Sequence, residues 1–154
     1  MTTPQLSQQN QYAVNKNGPI LIIEDDIDDQ RFIQINFSKL NYTNELVFLN
    51  NGEEAIDYLM QMKKIPFLII SDLNMPRLNG LELRERVKQN EAINIKCVPY
   101  IIFSTTVLKT YIDDAYTLGV QGYFKKPANP KELIDILQKI VEYWKLSYSP
   151  GMYM

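Results

Sequence analysis

Apolar and polar positions alternate along this chain in two rhythms. Unbroken apolar runs recur at Ile20-Leu21-Ile22-Ile23, Phe67-Leu68-Ile69-Ile70 and Tyr100-Ile101-Ile102-Phe103, each introduced by a proline. A run without polar interruption predicts a strand covered on both faces, as parallel sheets require. Shorter strands are predicted at 45–49 and 121–125. The segments between them carry helical spacing. One helix is predicted over 28–40 with Phe32, Ile33, Phe37 and Leu40 inward, and another over 53–62 with Ile56, Leu59 and Met60 inward. A third covers 81–89, and a fourth 109–118, closed by Gly119 as a C-cap. The last starts at Pro130 and reaches about Lys145, with Leu133, Leu137, Ile140, Val141 and Trp144 on one face. Five strand–helix units in series predict an α/β fold, a doubly wound parallel sheet with helices on both faces.

Composition narrows the classes. The chain has 154 residues, 45% of them hydrophobic and 22% charged, which suits one globular domain. Its expected limits are 18–146, with a disordered polar leader at 1–17 and a tail at 147–154 broken by Pro150-Gly151. The net charge of −2 offers no basic stripe for nucleic acid. No apolar run has the length of a membrane span and the leader has no secretory h-region, so a cytoplasmic location is expected. There is no histidine, which removes every His-based mechanism and metal site. The one cysteine, Cys97, precedes a strand and reads as a packing or loop residue.

In a doubly wound sheet, ligands bind at the carboxyl ends of the strands. Strand one ends in Glu24-Asp25-Asp26, strand three in Asp72 followed by Asn74, strand four in Ser104, and strand five in Lys125-Lys126-Pro127. An acid after a buried strand means little alone, because loops are exposed; acid, hydroxyl and amine at separate strand ends mean more. Carboxylates gathered on one rim repel, and a hard cation such as Mg²⁺ relieves this. A carboxylate beside Mg²⁺ and a lysine can attack a phosphoryl group. Asp26, Asp28 and Asp29 read mainly as a solvated helix start matched to the helix dipole.

These stretches resemble the response-regulator receiver family of the chemotaxis-regulator type, over 19–145. Ile20 to Asp26 is similar to its first strand and acidic pair, and Ser71-Asp72-Leu73-Asn74-Met75-Pro76 with Gly80 to its phosphorylation motif. Ser104-Thr105 is similar to its hydroxyl position, and Gly122-Tyr123-Phe124-Lys125-Lys126-Pro127 to its aromatic–lysine motif. The resemblance implies a flavodoxin-like fold of five strands, in the order 2-1-3-4-5, with five helices. It implies that Asp72 accepts the phosphoryl group. Mg²⁺ would be held by Asp25, Asp72 and the Asn74 carbonyl, and by Glu24 through water. Lys126 and Ser104 would bind the phosphoryl group, and the Lys126–Pro127 bond would be cis. Ser104 and Tyr123 would form the switch, and Asn74 and Thr106 would tune dephosphorylation. Ser104 stands where threonine is frequent, Glu24 where aspartate is, and Ala128 where a bulky apolar residue is usual.

The expected function is that of a stand-alone phosphoacceptor, not a turnover enzyme. A sensor histidine kinase or histidine phosphotransfer protein would donate to it. It would signal by contact with an unspecified downstream protein, through helix four, strand five and helix five. Ile136 and Tyr143 add a second stripe to helix five, open to partial burial or to a partner, a homodimer included. Two other readings stand beside it. A small Mg²⁺-dependent aspartyl-nucleophile phosphatase would want an acid where Asn74 stands, and a cap over the site. A pseudo-receiver would lack the acidic pair, acceptor or lysine, and all are present.

Overall fold

The computed structural model describes residues 15–148 except 94 and 96; the expectations for 1–14 and 149–154, Pro150-Gly151 included, lie outside the described residues. Strands β1 (Ile20–Ile23), β2 (Leu46–Leu49), β3 (Leu68–Asp72), β4 (Tyr100–Ser104) and β5 (Gly122–Lys125) alternate with helices. These are α1 (Ile27–Phe37), α2 (Gly52–Gln61), α3 (Gly80–Gln89), α4 (Lys109–Thr117) and α5 (Pro130–Leu146). All strand pairs are parallel, in the order β2-β1-β3-β4-β5. The doubly wound α/β sheet expected from the apolar runs is the fold observed.

Side chains of a strand alternate between faces, and each face has its own helices. Leu21, Ile23, Ile69, Tyr100 and Ile102 pack with Ala55 and Leu59 of α2, Leu83 and Val87 of α3, and Ala115 of α4. Ile20, Ile22, Leu68, Ile70, Ile101 and Phe103 pack with Ile33 and Phe37 of α1 and with Leu133, Leu137, Ile140 and Val141 of α5. Each fully buried Leu or Ile contributes about 1.5–3 kcal/mol of transfer free energy.

Local chemistry sets the helix ends. Asp26 caps α1, accepting from the backbone N of Asp28 at 2.9 Å and of Asp29 at 3.2 Å. Asn79 and Glu82 form a capping box at the start of α3. Gly119, at φ 83°, ends α4, and Val120 N donates back to Ala115 O at 3.2 Å.

Three details differ from the periodicity. Met60 is half exposed, and Ala55 takes the inward place on α2. Helix α1 stops at Phe37, and Leu40 reaches the core from a turn in which its N donates to Phe37 O. Residues 15–17, assigned above to the leader, are tied to the domain. Asn44 Nδ2 donates to Lys16 O at 2.9 Å, and so does Lys145 Nζ at 2.6 Å.

Candidate functional site

Sheet register brings the chemistry together. Ile23 stands beside Ser71, Asp72 beside Phe103, and Ser104 beside Lys125. Glu24, Asp72, Ser104 and Lys126 therefore share the carboxyl rim of adjacent strands. The loop leaving β3 is drawn tight beneath Asp72. Gly80 N donates to Leu73 O at 2.9 Å, and a Cβ on Gly80 would stand 2.4 Å from the Asp72 carbonyl oxygen. Arg77 has φ 68° and Leu78 N donates to Pro76 O, which makes a γ-turn of the rarer, positive-φ form.

One ligand oxygen from each of Glu24, Asp25 and Asp72 lies within 4.8 Å of the other two. Lys126 Nζ lies 2.8 Å from Glu24 Oε1, 2.8 Å from Asp29 Oδ2 and 3.8 Å from Asp72 Oδ2. Asp72 Oδ1 accepts from Asn74 N at 3.3 Å. Burial is the main force on the two inner carboxyls. It raises Glu24 above the usual carboxylate range against the pull of Lys126, and Asp72 adds to the rise. It raises Asp72 as well, with Lys126 opposing. Burial also works on Asp29, but Lys126 outweighs it and holds that carboxyl low. On Lys126 the order reverses: burial disfavours its charge, and the surrounding carboxylates keep it firmly protonated.

This donor set suits a divalent oxygen-seeking cation. A buried carboxyl (Glu24), a half-buried one (Asp72), an exposed third (Asp25) and one lysine leave more negative charge than Lys126 compensates, and a hard cation with mixed carboxylate and water ligands fits that imbalance.

The hydroxyl side of the rim is also assembled. Ser104 is fully buried, and its Oγ accepts from Thr106 N at 2.9 Å. Tyr123 is half-buried, and its hydroxyl donates to Thr106 O at 2.6 Å. The backbone of Thr106 thus bonds both expected switch residues. The side chain of Asn74 is exposed, as is Thr105.

The structure changes two expectations at the site. Among the described residues no peptide bond is cis, so Lys126–Pro127 is trans. Trans is the intrinsically favoured isomer by about 0.5–1 kcal/mol, and the small Ala128 beside it is exposed and brings little packing against that preference. Asp29 is no merely solvated helix acid, because it holds Lys126. The signal was present: first-turn side chains lean toward the helix N-terminus, and here that direction leads to the strand-end carboxylates. Asp26 and Asp28 do remain exposed at the helix start.

Away from the rim, a hollow of about 610 Å³ runs along β5 between α4 and α5, lined by Tyr116, Phe124, Ile136, Tyr143 and Trp144 among others. It contains the second stripe of α5. Ile136 is half-buried there and Tyr143 is 63% exposed.

The chain has clear relatives. Response regulator Rcp1 of Synechocystis is 31% identical over 130 residues, covering 81% of this chain and 87% of that protein. A solved structure of the phosphorylated cyanobacterial phytochrome response regulator RcpA is 31% identical with a TM-score of 0.76, covering 86% of this chain and 97% of its own. The Mn(2+)-bound form of Rcp1 is 30% identical with a TM-score of 0.73, covering 85% and 97%. Residues 20–138 match the response regulator receiver domain family, and with Glu24, Asp25, Asp72, Ser104 and Lys126 on one rim the chain belongs to that family of two-component signalling domains.

Proposed function

We propose that the protein is a stand-alone response regulator that takes a phosphoryl group on Asp72 from a phosphohistidine. The donor would be a sensor histidine kinase or a histidine phosphotransfer protein. The observation that carries this is the rim itself: Asp72 beside Glu24 and Asp25, with Lys126 3.8 Å away. Two structural relatives are described as phosphorylated and as Mn(2+)-bound, which supports the reading.

An Asp72 carboxylate oxygen attacks phosphorus, and the donor's N–P bond breaks in line. The imidazole nitrogen keeps the electron pair and takes up a proton. Asn74 N holds Asp72 Oδ1 and so orients the carboxylate for attack. Lys126 offers its ammonium to a transferring oxygen, and Ser104 can offer its hydroxyl once it leaves Thr106. Asp25, Asp72, Glu24 and the Asn74 carbonyl are the groups that would hold Mg²⁺, which supplies charge neutralisation at the phosphoryl oxygens when bound. Asn74, whose N bonds Asp72, and Thr106, whose N bonds Ser104, tune hydrolysis of the aspartyl phosphate. Tyr123 follows Ser104 through Thr106, which links the rim to β5 and α4. The output passes by protein contact over α4, β5 and α5, a second copy of the chain being one fitting partner. The protein marks itself and turns over no separate substrate.

The test is incubation with acetyl phosphate and Mg²⁺ followed by intact mass measurement. One phosphoryl mass should be gained, and Asp72→Asn should abolish the gain. An equal gain in the variant would refute the assignment.

A further inference from the structure

Lys126 holds the wrong partners for a group that must grip a phosphoryl oxygen. Its side chain is 16% exposed, and its ammonium makes two 2.8 Å contacts, to Glu24 and to Asp29, while Asp72 at 3.8 Å is beyond hydrogen-bond reach. To meet a phosphoryl oxygen carried on Asp72, the ammonium must turn outward and weaken one of those contacts. The two are not equivalent. The Glu24 side chain is 6% exposed and has no other ion-pair partner among the described residues, whereas Asp29 is 36% exposed and can be resolvated. Asp29 is therefore the partner that yields. Once it yields, its carboxylate also faces the added phosphoryl charge with the shared lysine taken away.

We propose that Asp29 is a positioning residue that competes with the phosphoryl group for Lys126 and lowers the affinity of the Asp72 site for it. The proposal rests on the reading of Asp72 as acceptor. Asp29 reaches Lys126 because Asp26 caps α1 and fixes its first turn over the rim, with Asp29 N bonded to Asp26 Oδ1 at 3.2 Å. Asp28 lies in the same turn with its side chain exposed, so it supplies the same charge without the contact.

The experiment is calorimetric titration of the full chain with beryllium fluoride in excess Mg²⁺, for the wild type, Asp29→Asn and Asp28→Asn. An ion pair of this exposure is worth about a fivefold change in a binding constant. Asp29→Asn is expected to bind roughly fivefold more tightly than wild type, and Asp28→Asn within about twofold of it. Mg²⁺ affinity is measured separately for each protein and beryllium fluoride is titrated at saturating Mg²⁺, so that a change in cation binding does not enter the comparison; a merely disturbed helix entrance would weaken beryllium fluoride in Asp29→Asn rather than tighten it. Should Asp29→Asn fail to fold, Asp29→Ser carries the same expectation. If Asp29→Asn binds beryllium fluoride no better than Asp28→Asn while the wild type binds, the competition is wrong and the acceptor reading stands. Absence of binding in every protein overturns both.

Discussion

At position 80 the chain has no room for a side chain. The Cβ of an alanine would stand 2.4 Å from the carbonyl oxygen of Asp72 and 3.1 Å from the Cα of Leu73, both backbone atoms. Gly80→Ala must therefore displace the acceptor's own main chain. Overpacking of this kind costs about 1–3 kcal/mol. Urea denaturation should show that loss, and acetyl phosphate should label Asp72 more slowly in the variant. The residues of the site were readable at this scale to very different degrees. Glu24, Asp25, Asp72, Ser104 and Lys126 all lie within two residues of the end of an apolar run, so a rule about strand ends is enough to point to them. Asp29 follows no strand. Its role depends on how far α1 tilts over the rim and on where Lys126 comes to rest, which are properties of the packed sheet. The trans bond at Lys126–Pro127 was likewise a matter of local packing that a motif does not carry.

Elements were legible where burial is complete. The apolar residues of β1, β3 and β4 are almost wholly buried on both faces, and such strands leave unbroken hydrophobic runs. Ile102 in β4 is fully buried between α2, α3 and α4 on its face of the sheet. Ile102→Ala should lower stability by about 2–5 kcal/mol, read as a fall in the urea midpoint with an unchanged slope. An unchanged midpoint would mean that the core is not packed as described. Helix faces were legible less fully. On α2 the spacing of Ile56, Leu59 and Met60 suggests an inward trio, but the sheet admits Ala55 and Leu59 and leaves Met60 half exposed. A small residue at the closest approach of helix to sheet does not stand out in a hydrophobic pattern. Arg84 is similar: it is a charged residue of α3, and its Nε donates to Leu118 O at 3.0 Å, closing the carbonyl end of α4. The neighbouring helix and the Tyr100 ring of β4, centred 5.0 Å from the guanidinium carbon, explain it together.

For the molecule as a whole, the crowded rim couples stability to pH. Glu24 and Asp72 titrate higher in the folded chain than their ordinary values of 4.5 and 3.8. Folded protein thus binds more protons than unfolded protein above those values. The stabilisation is complete below them and is lost as pH rises through the raised folded values. Asp29 has the opposite sign, and its contribution disappears only on acidification below its ordinary 3.8. Lys126, raised above 10.5, contributes a constant amount through the neutral range. Without divalent cations, the urea midpoint should therefore fall from mildly acidic to mildly alkaline buffer. Added Mg²⁺ should recover most of the loss and stabilise more at the alkaline end, because it takes the place of protons. A midpoint that climbs with pH in the absence of cation would contradict this account of the rim.

The chain contains one tryptophan, and its position makes it an optical reporter of a distant event. Trp144 lies near the end of α5, edge-on to Tyr143 at 4.9 Å and in the wall of the hollow beside β5. A helix rises 1.5 Å per residue, so the indole is roughly 20 Å along α5 from its start near Lys126. Loading the rim cannot quench it by contact. Any change in its emission on phosphorylation would be light from the opposite end of the helix, and would time the arrival of the signal there rather than its entry.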